Sequence, residues 1–215
     1  MKRPPLAVVL GLALASASTV SFAQQPLERW YLGLSAGQSG VNIGNEVVDV
    51  PGATASSVTK DQTRTGYKLY GGLRVRRNLA FEAGAVDFGK FDARRTVTAP
   101  PSLVGTANFN WQVNGWTMDA VGILPFQSFS LFGRLGVLYS TAKTLRTATG
   151  GVSVAPGFAS PKKSEFNPHW GVGASYEFTR SLALRAEYEM AHKVGNEKTG
   201  EGNVDLASVG LVVKF

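Results

Sequence analysis

Eight stretches of this sequence alternate residue by residue between an apolar and a polar face, the period of a β-strand whose side chains point to opposite sides of a sheet. They are Trp30–Gly37, Gly66–Arg74, Leu79–Asp87, a shorter one around Trp116, Met118 and Ala120, then Phe129–Ser140, His169–Phe178, Leu182–Met190 and Val204–Phe215. Along Phe129–Ser140, for example, Phe129, Leu131, Leu135, Val137 and Tyr139 share one face, and Ser130, Arg134, Gly136 and Ser140 the other. Each stretch is close to the ~9–11 residues that a tilted strand needs to cross a bilayer. The fourth is the least regular: upstream of it Phe109, Trp111 and Val113 alternate in the opposite phase, and a bulge near Asn114-Gly115 would reconcile the two.

The polar face decides the orientation. It holds glycine, serine and charges of both signs, with Lys68, Arg74, Arg134, Arg185 and Lys214 against Glu82, Asp119, Glu177, Glu187 and Glu189. A soluble barrel would turn that face to water and the apolar one inward. Here the middle of each apolar face carries no polar residue, and placing an Arg or Lys at a bilayer midplane costs ~2–4 kcal/mol. Charges therefore go inside and oil outside. A barrel of eight strands has an interior just wide enough for side chains, and small residues leave room there for long Arg and Glu. The expected fold class is all-β, an eight-stranded antiparallel up-and-down transmembrane β-barrel. Lys68, Glu82, Asp119, Arg134, Glu177, Arg185, Glu187 and Lys214 are the candidates for an ion-pair network in its lumen.

The connections alternate as well. Short links fall at Val75–Asn78, Ile123–Ser128 and Thr179–Ser181, and long ones at about 38–65, 88–115, 141–168 and 191–203. Tight periplasmic turns and long outside loops are the habit of outer-membrane barrels, so both chain ends are expected in the periplasm. Aromatic residues gather at both ends of the strands: Tyr67, Trp116, Tyr139, Trp170 and Tyr188 toward the outside, Trp30, Phe129, Phe178 and Phe215 toward the periplasm. Such rings favour the headgroup boundary. The N-terminus reads as an export signal. Lys2 and Arg3 precede an apolar stretch, and Ser21-Phe22-Ala23 offers small residues for cleavage, which leaves 1–23 as a cleaved signal and 24–215 as one barrel domain. The strongly apolar part, Leu6 to Ala15, is too short for the ~20 residues of a spanning helix.

Gly66-Tyr67-Lys68-Leu69-Tyr70-Gly71-Gly72, Arg77-Asn78-Leu79-Ala80-Phe81-Glu82-Ala83-Gly84, Gly133-Arg134-Leu135-Gly136 and Val204-Asp205-Leu206-Ala207-Ser208-Val209-Gly210-Leu211 resemble the membrane domain of the outer membrane protein A-like barrels. The resemblance runs over nearly all of the chain after the signal. It implies inward salt bridges that plug the lumen, carried here by Glu82, Arg134, Arg185 and Glu187. It also implies that Ser208, Gly210, Val213 and Phe215 form the C-terminal signal read by the barrel assembly machinery, for which strand addition offers a physical basis. The best-known members carry a peptidoglycan-gripping domain after the barrel. This sequence stops at Phe215, so a barrel-only member with structural or surface-facing work is expected.

Enzymatic chemistry finds little support. There are no cysteines, and of the two histidines, His169 is followed by Trp170-Gly171 and His192 by Lys193-Val194, so the His and Ser two apart of lipid A deacylase barrels are missing. His169 reads as a solvated residue of the outer rim. No cofactor or metal is expected. The formal net charge of +7 lies largely in the second and third long connections. Arg94, Arg95, Lys162 and Lys163 are therefore candidates for contact with anions, of which lipopolysaccharide phosphates are nearest. Expected partners are outer-membrane lipid and lipopolysaccharide, the assembly machinery, and host or surface ligands of the loops. Nucleic acid is excluded by compartment, and closure of the barrel removes the edge that drives association, which favours a monomer. The function expected is a non-enzymatic, plugged outer-membrane barrel serving envelope integrity and surface contact. A narrow channel for ions or small or apolar solutes and a lipid A-modifying enzyme remain alternatives.

Overall fold

The computed structural model describes residues 29–43, 52–153, 160–196 and 200–215; the export signal expected at 1–23 lies outside them. The strands are β1 (Trp30–Ile43), β2 (Ala55–Asp61), β3 (Thr63–Arg76), β4 (Leu79–Ala99), β5 (Gly105–Phe126), β6 (Phe129–Gly150), β7 (Lys162–Glu177), β8 (Leu182–Asn196) and β9 (Gly200–Lys214). Each strand pairs antiparallel with its neighbour. The ring β1-β3-β4-β5-β6-β7-β8-β9 closes through thirteen β1–β9 residue pairs, from Tyr31↔Lys214 to Ile43↔Gly202. Terminal backbone bonds between Trp30 and Phe215, at 2.9 and 3.3 Å, finish the seam. The strand β2, separated from β3 by Gln62 alone, continues that wall beside the far half of β4.

The register fixes the shape. A row of directly opposed residues starts at Phe126 and passes through Phe129, Tyr176, Leu184, Leu211, Leu34, Leu69 and Ala85. It returns to β5 at Trp116, ten residues above its start (126 to 116). Eight strands with that stagger tilt by about 40° to the barrel axis. Along β6, Phe129 to Tyr139 then spans about 34 Å of strand and about 26 Å of height, which matches the ~25 Å apolar band of an outer-membrane barrel. Leu32, Leu34, Leu69, Phe81, Met118, Leu135, Val172, Leu211 and Val213 stand exposed on that band.

The strands do not stop at the band. Residues 88–99, 105–115 and 141–150, expected within long connections, are strand. In that upper part the polarity inverts. Phe88, Phe91, Phe109, Trp111, Val113, Leu138, Ala142, Val194, Val204 and Leu206 point inward and are buried, while Lys90, Asp92, Arg94 and Lys143 face out. Above the lipid the outer surface meets water, so the ordinary soluble pattern returns. This corrects the reading of the fourth strand. Registration of β5 against β6 is unbroken from Gly105 to Phe126, with no bulge at Asn114-Gly115. The change of phase seen in the sequence is this inversion. The irregularity lies across the ladder, between Asp87 and Gly89 of β4.

Candidate functional site in the lumen

Six strands contribute to one ionic layer at mid-height. Lys68 comes from β3, Glu82 from β4, Asp119 from β5, Arg134 from β6, His169 from β7, and Arg185, Glu187 and Glu189 from β8; all are buried. The two strands beside the closing seam supply Gly33 and Ser35 from β1 and Ser208 and Gly210 from β9, so the long side chains have space to cross. Glycine also seats the rings below the layer. Tyr70 lies directly opposite Gly33 and Tyr31 opposite Gly72, and a Cβ on either glycine would run into the facing ring.

Arg134 is the hub. Its Nη2 donates to Glu82 Oε2 and to Glu187 Oε2, each at 2.7 Å, and its Nη1 donates to Asp119 Oδ2 at 3.3 Å. Arg185 Nη1 donates to Glu82 Oε1 at 2.6 Å, and its Nε lies 3.2 Å from Glu187 Oε2. The Arg185 guanidinium sits 3.8 Å from the Phe132 ring centre and 5.0 Å from that of Tyr70, where flat cation and flat ring attract. Lys68 donates to Glu187 at 3.0 Å and to Glu189. Tyr31 Oη donates to Glu82 Oε1 at 2.7 Å.

Of the eight residues read from the sequence, the structure brings six together and sets two apart. Glu177 and Lys214 pair with each other at the short-turn mouth, partly exposed. Sequence reasoning missed two members. Glu189 reads from the sequence as inward but not as a partner, and His169 as a residue of the rim. His169 is instead fully buried, with Nδ1 2.7 Å from Asp119 Oδ1 and Nε2 3.4 Å from Glu189 Oε2. Its phase with Gly171 and Gly173 was the available signal; its height was misjudged because β7 continues upward to Lys162. A carboxylate thus lies beside each ring nitrogen, within hydrogen-bond reach at Nδ1 and at ion-pair distance alone at Nε2. With His169 charged, four cations meet four carboxylates.

Apolar layers flank the ions. Toward the short turns lie Tyr31, Tyr70, Ala80, Val121, Ile123, Phe132, Ala183 and Val212; toward the far end lies the aromatic-rich cluster around Trp111. Above the layer, Ser140 Oγ donates to Asn167 Oδ1 at 2.5 Å. Among the described residues no group of His, Asp and Glu is arranged to hold a metal.

The basic candidates split by strand parity. Arg94 and Lys162 face outward, whereas Arg95 and Lys163 lie half-buried on the inward phase, with Arg95 Nε donating to Ser56 Oγ at 3.0 Å. At the seam, Ser208 and Gly210 point inward and Val213 and Phe215 outward.

Residues 25–215 match the family model described as the OmpA-like transmembrane domain. The chain is 26% identical over 212 residues to outer membrane protein A of Yersinia pseudotuberculosis serotype I (strain IP32953), covering 97% of this chain and 55% of that protein. It is 24% identical over 212 residues, with the same shares covered, to outer membrane protein A of Salmonella typhi. The chain thus spans about half the length of the curated relatives it matches. Among solved structures, neisserial surface protein A shares its fold, with a TM-score of 0.53 at 16% identity over 86% of this chain and 97% of that one.

Proposed function

Because the chain belongs to the OmpA-like transmembrane domain family, we propose that this outer-membrane barrel works as a sealed, non-enzymatic wall element. Both termini and the short turns face the periplasm, and the far end, with its tall strands, stands at the cell surface. It stabilises the envelope and presents its upper wall to the surroundings. One observation supports this reading: buried side chains form three successive layers, apolar, ionic and apolar, and in the middle layer Arg134 binds carboxylates from three strands at once. An ion entering that layer would have to displace buried, mutually paired charges, which is costly to do one partner at a time. The C-terminal strand, with Ser208 and Gly210 inward and Val213 and Phe215 outward, serves in the same reading as the segment recognised during insertion.

Planar-bilayer recording tests the seal. The refolded chain is expected to give no stable conductance, and Glu82→Gln or Arg134→Gln to produce brief openings at most. A stable conductance in the unmodified chain that rises on either substitution overturns the sealed-wall reading in favour of a gated pore.

A further inference from the structure

The register lines up three lysines that the sequence keeps far apart. Lys90 on β4 opposes Gln112 on β5, Gln112 opposes Lys143 on β6, and Lys143 opposes Lys162 on β7. All three lysines are on the outer face and exposed. Beneath them on β5–β6–β7 runs a polar row, Asn114, Thr141 and Ser164, and beneath that an aromatic row, Trp116, Tyr139 and Phe166. Oil, hydroxyl and cation thus follow one another up the same wall.

The tilt turns the lysine row into a climb. Gln112 is four residues above Trp116, and each step from β4 toward β7 rises about 3 Å, so the Cα atoms of Lys90, Lys143 and Lys162 stand about 7, 13 and 16 Å above Trp116. The polar layer of a phospholipid leaflet extends only ~5–7 Å beyond the hydrocarbon. It reaches Lys90 and stops short of the other two.

Two further features call for an anion. Lys143 and Lys162 face each other directly on adjacent strands, an arrangement that repels, and among the described residues neither side chain has a carboxylate partner. The outward carboxylates nearby are already engaged. Asp92 accepts from Arg64 Nη2 and from Asn110 Nδ2, both at 2.6 Å, and Asp87 accepts from the Gly89 amide at 2.8 Å. Arg94 adds a fourth outward cation on β4.

We propose that Lys90, Lys143 and Lys162 form a rising phosphate- and carboxylate-binding stripe for lipopolysaccharide. The lowest lysine meets a lipid A phosphate, and the upper two meet acidic groups of the inner-core sugars. A glycolipid whose anions continue outward fits this climb, and a phospholipid with one phosphate layer does not. The proposal rests on the outward orientation given above.

The test uses the refolded full chain in neutral detergent, titrated with fluorescent lipid A bearing two Kdo sugars, with phosphatidylglycerol as competitor. At about fivefold for each lysine near an anionic headgroup, combined Lys90→Gln, Lys143→Gln and Lys162→Gln substitutions are expected to weaken binding roughly a hundredfold. They should also flatten its salt dependence. Lys163→Gln, inward on the same strand, should leave both unchanged, and phosphatidylglycerol should compete poorly. Unchanged affinity in the triple variant, an equal loss from Lys163→Gln, or full competition by phosphatidylglycerol would each overturn the stripe. Orientation is read separately by labelling Lys162→Cys in whole cells with an impermeant maleimide. Absence of label with detergent binding intact sinks the outward orientation, and the outer-leaflet ligand with it. Label together with unchanged binding by the triple variant sinks the stripe alone.

Discussion

Two exposed leucines on one strand give the sharpest test of where this barrel leaves the membrane. Leu135 and Leu145 both lie on the outer face of β6 and are 71% and 54% exposed, so neither burial nor residue type separates them. Position does. Leu135 lies near the middle of the Phe129–Tyr139 span that crosses the apolar band. Leu145 lies ten residues farther along, about 34 Å of strand and, at the ~40° tilt, about 26 Å higher. The half-thickness of the hydrocarbon is ~15 Å and the headgroups add ~5–7 Å, so Leu145 clears both. Leu135→Arg should cost ~2–4 kcal/mol, the penalty for arginine at the lipid midplane. Leu145→Arg should stay within about 0.5 kcal/mol, as for other water-facing surface substitutions. Reversible urea unfolding from phospholipid vesicles, followed by tryptophan fluorescence and by heat-modifiable gel mobility, measures the difference. Equal costs at the two positions, or a neutral Leu135→Arg, would refute the placement of the polarity inversion above Tyr139.

Two other outcomes follow from the lumen. Arg134→Gln leaves Glu82, Asp119, Glu187 and Glu189 sharing fewer cations and should cost ~3–5 kcal/mol; in a double-mutant cycle with Glu187→Gln by vesicle unfolding, the coupling should exceed about 1 kcal/mol, and strict additivity would show that the 2.7 Å contact carries no net energy. Trp111→Ala, in the upper apolar cluster where no lipid reaches, should cost ~3–5 kcal/mol in the same assay, as for other buried large aromatics, whereas a change under about 1 kcal/mol would mean that this cluster does not cap the lumen as packed core.

Much of the molecule was legible in its sequence because β-structure writes itself at period two. Alternation marks the eight ring strands, least regularly the fourth, and the charge on one face names that face as the inside. The same locality explains what was misread. Phe109, Trp111 and Val113 looked out of phase because a single rule, oil outward, was applied to the whole length of a strand that passes from lipid into water. His169 was placed at a rim for the same reason: a strand's height in the barrel depends on how far it continues past the membrane, and alternation carries no mark of that.

The sequence by itself determined which side chains share a face, since neighbours along a strand cannot avoid it. Only the tertiary structure decided which faces meet at one height, because that depends on the alignment of strands separated by loops and on the ten-residue stagger that closing the ring imposes. Arg134 reaches Glu82 and Glu187, fifty-two and fifty-three residues away, and Lys90, Lys143 and Lys162 climb one wall, through that stagger alone.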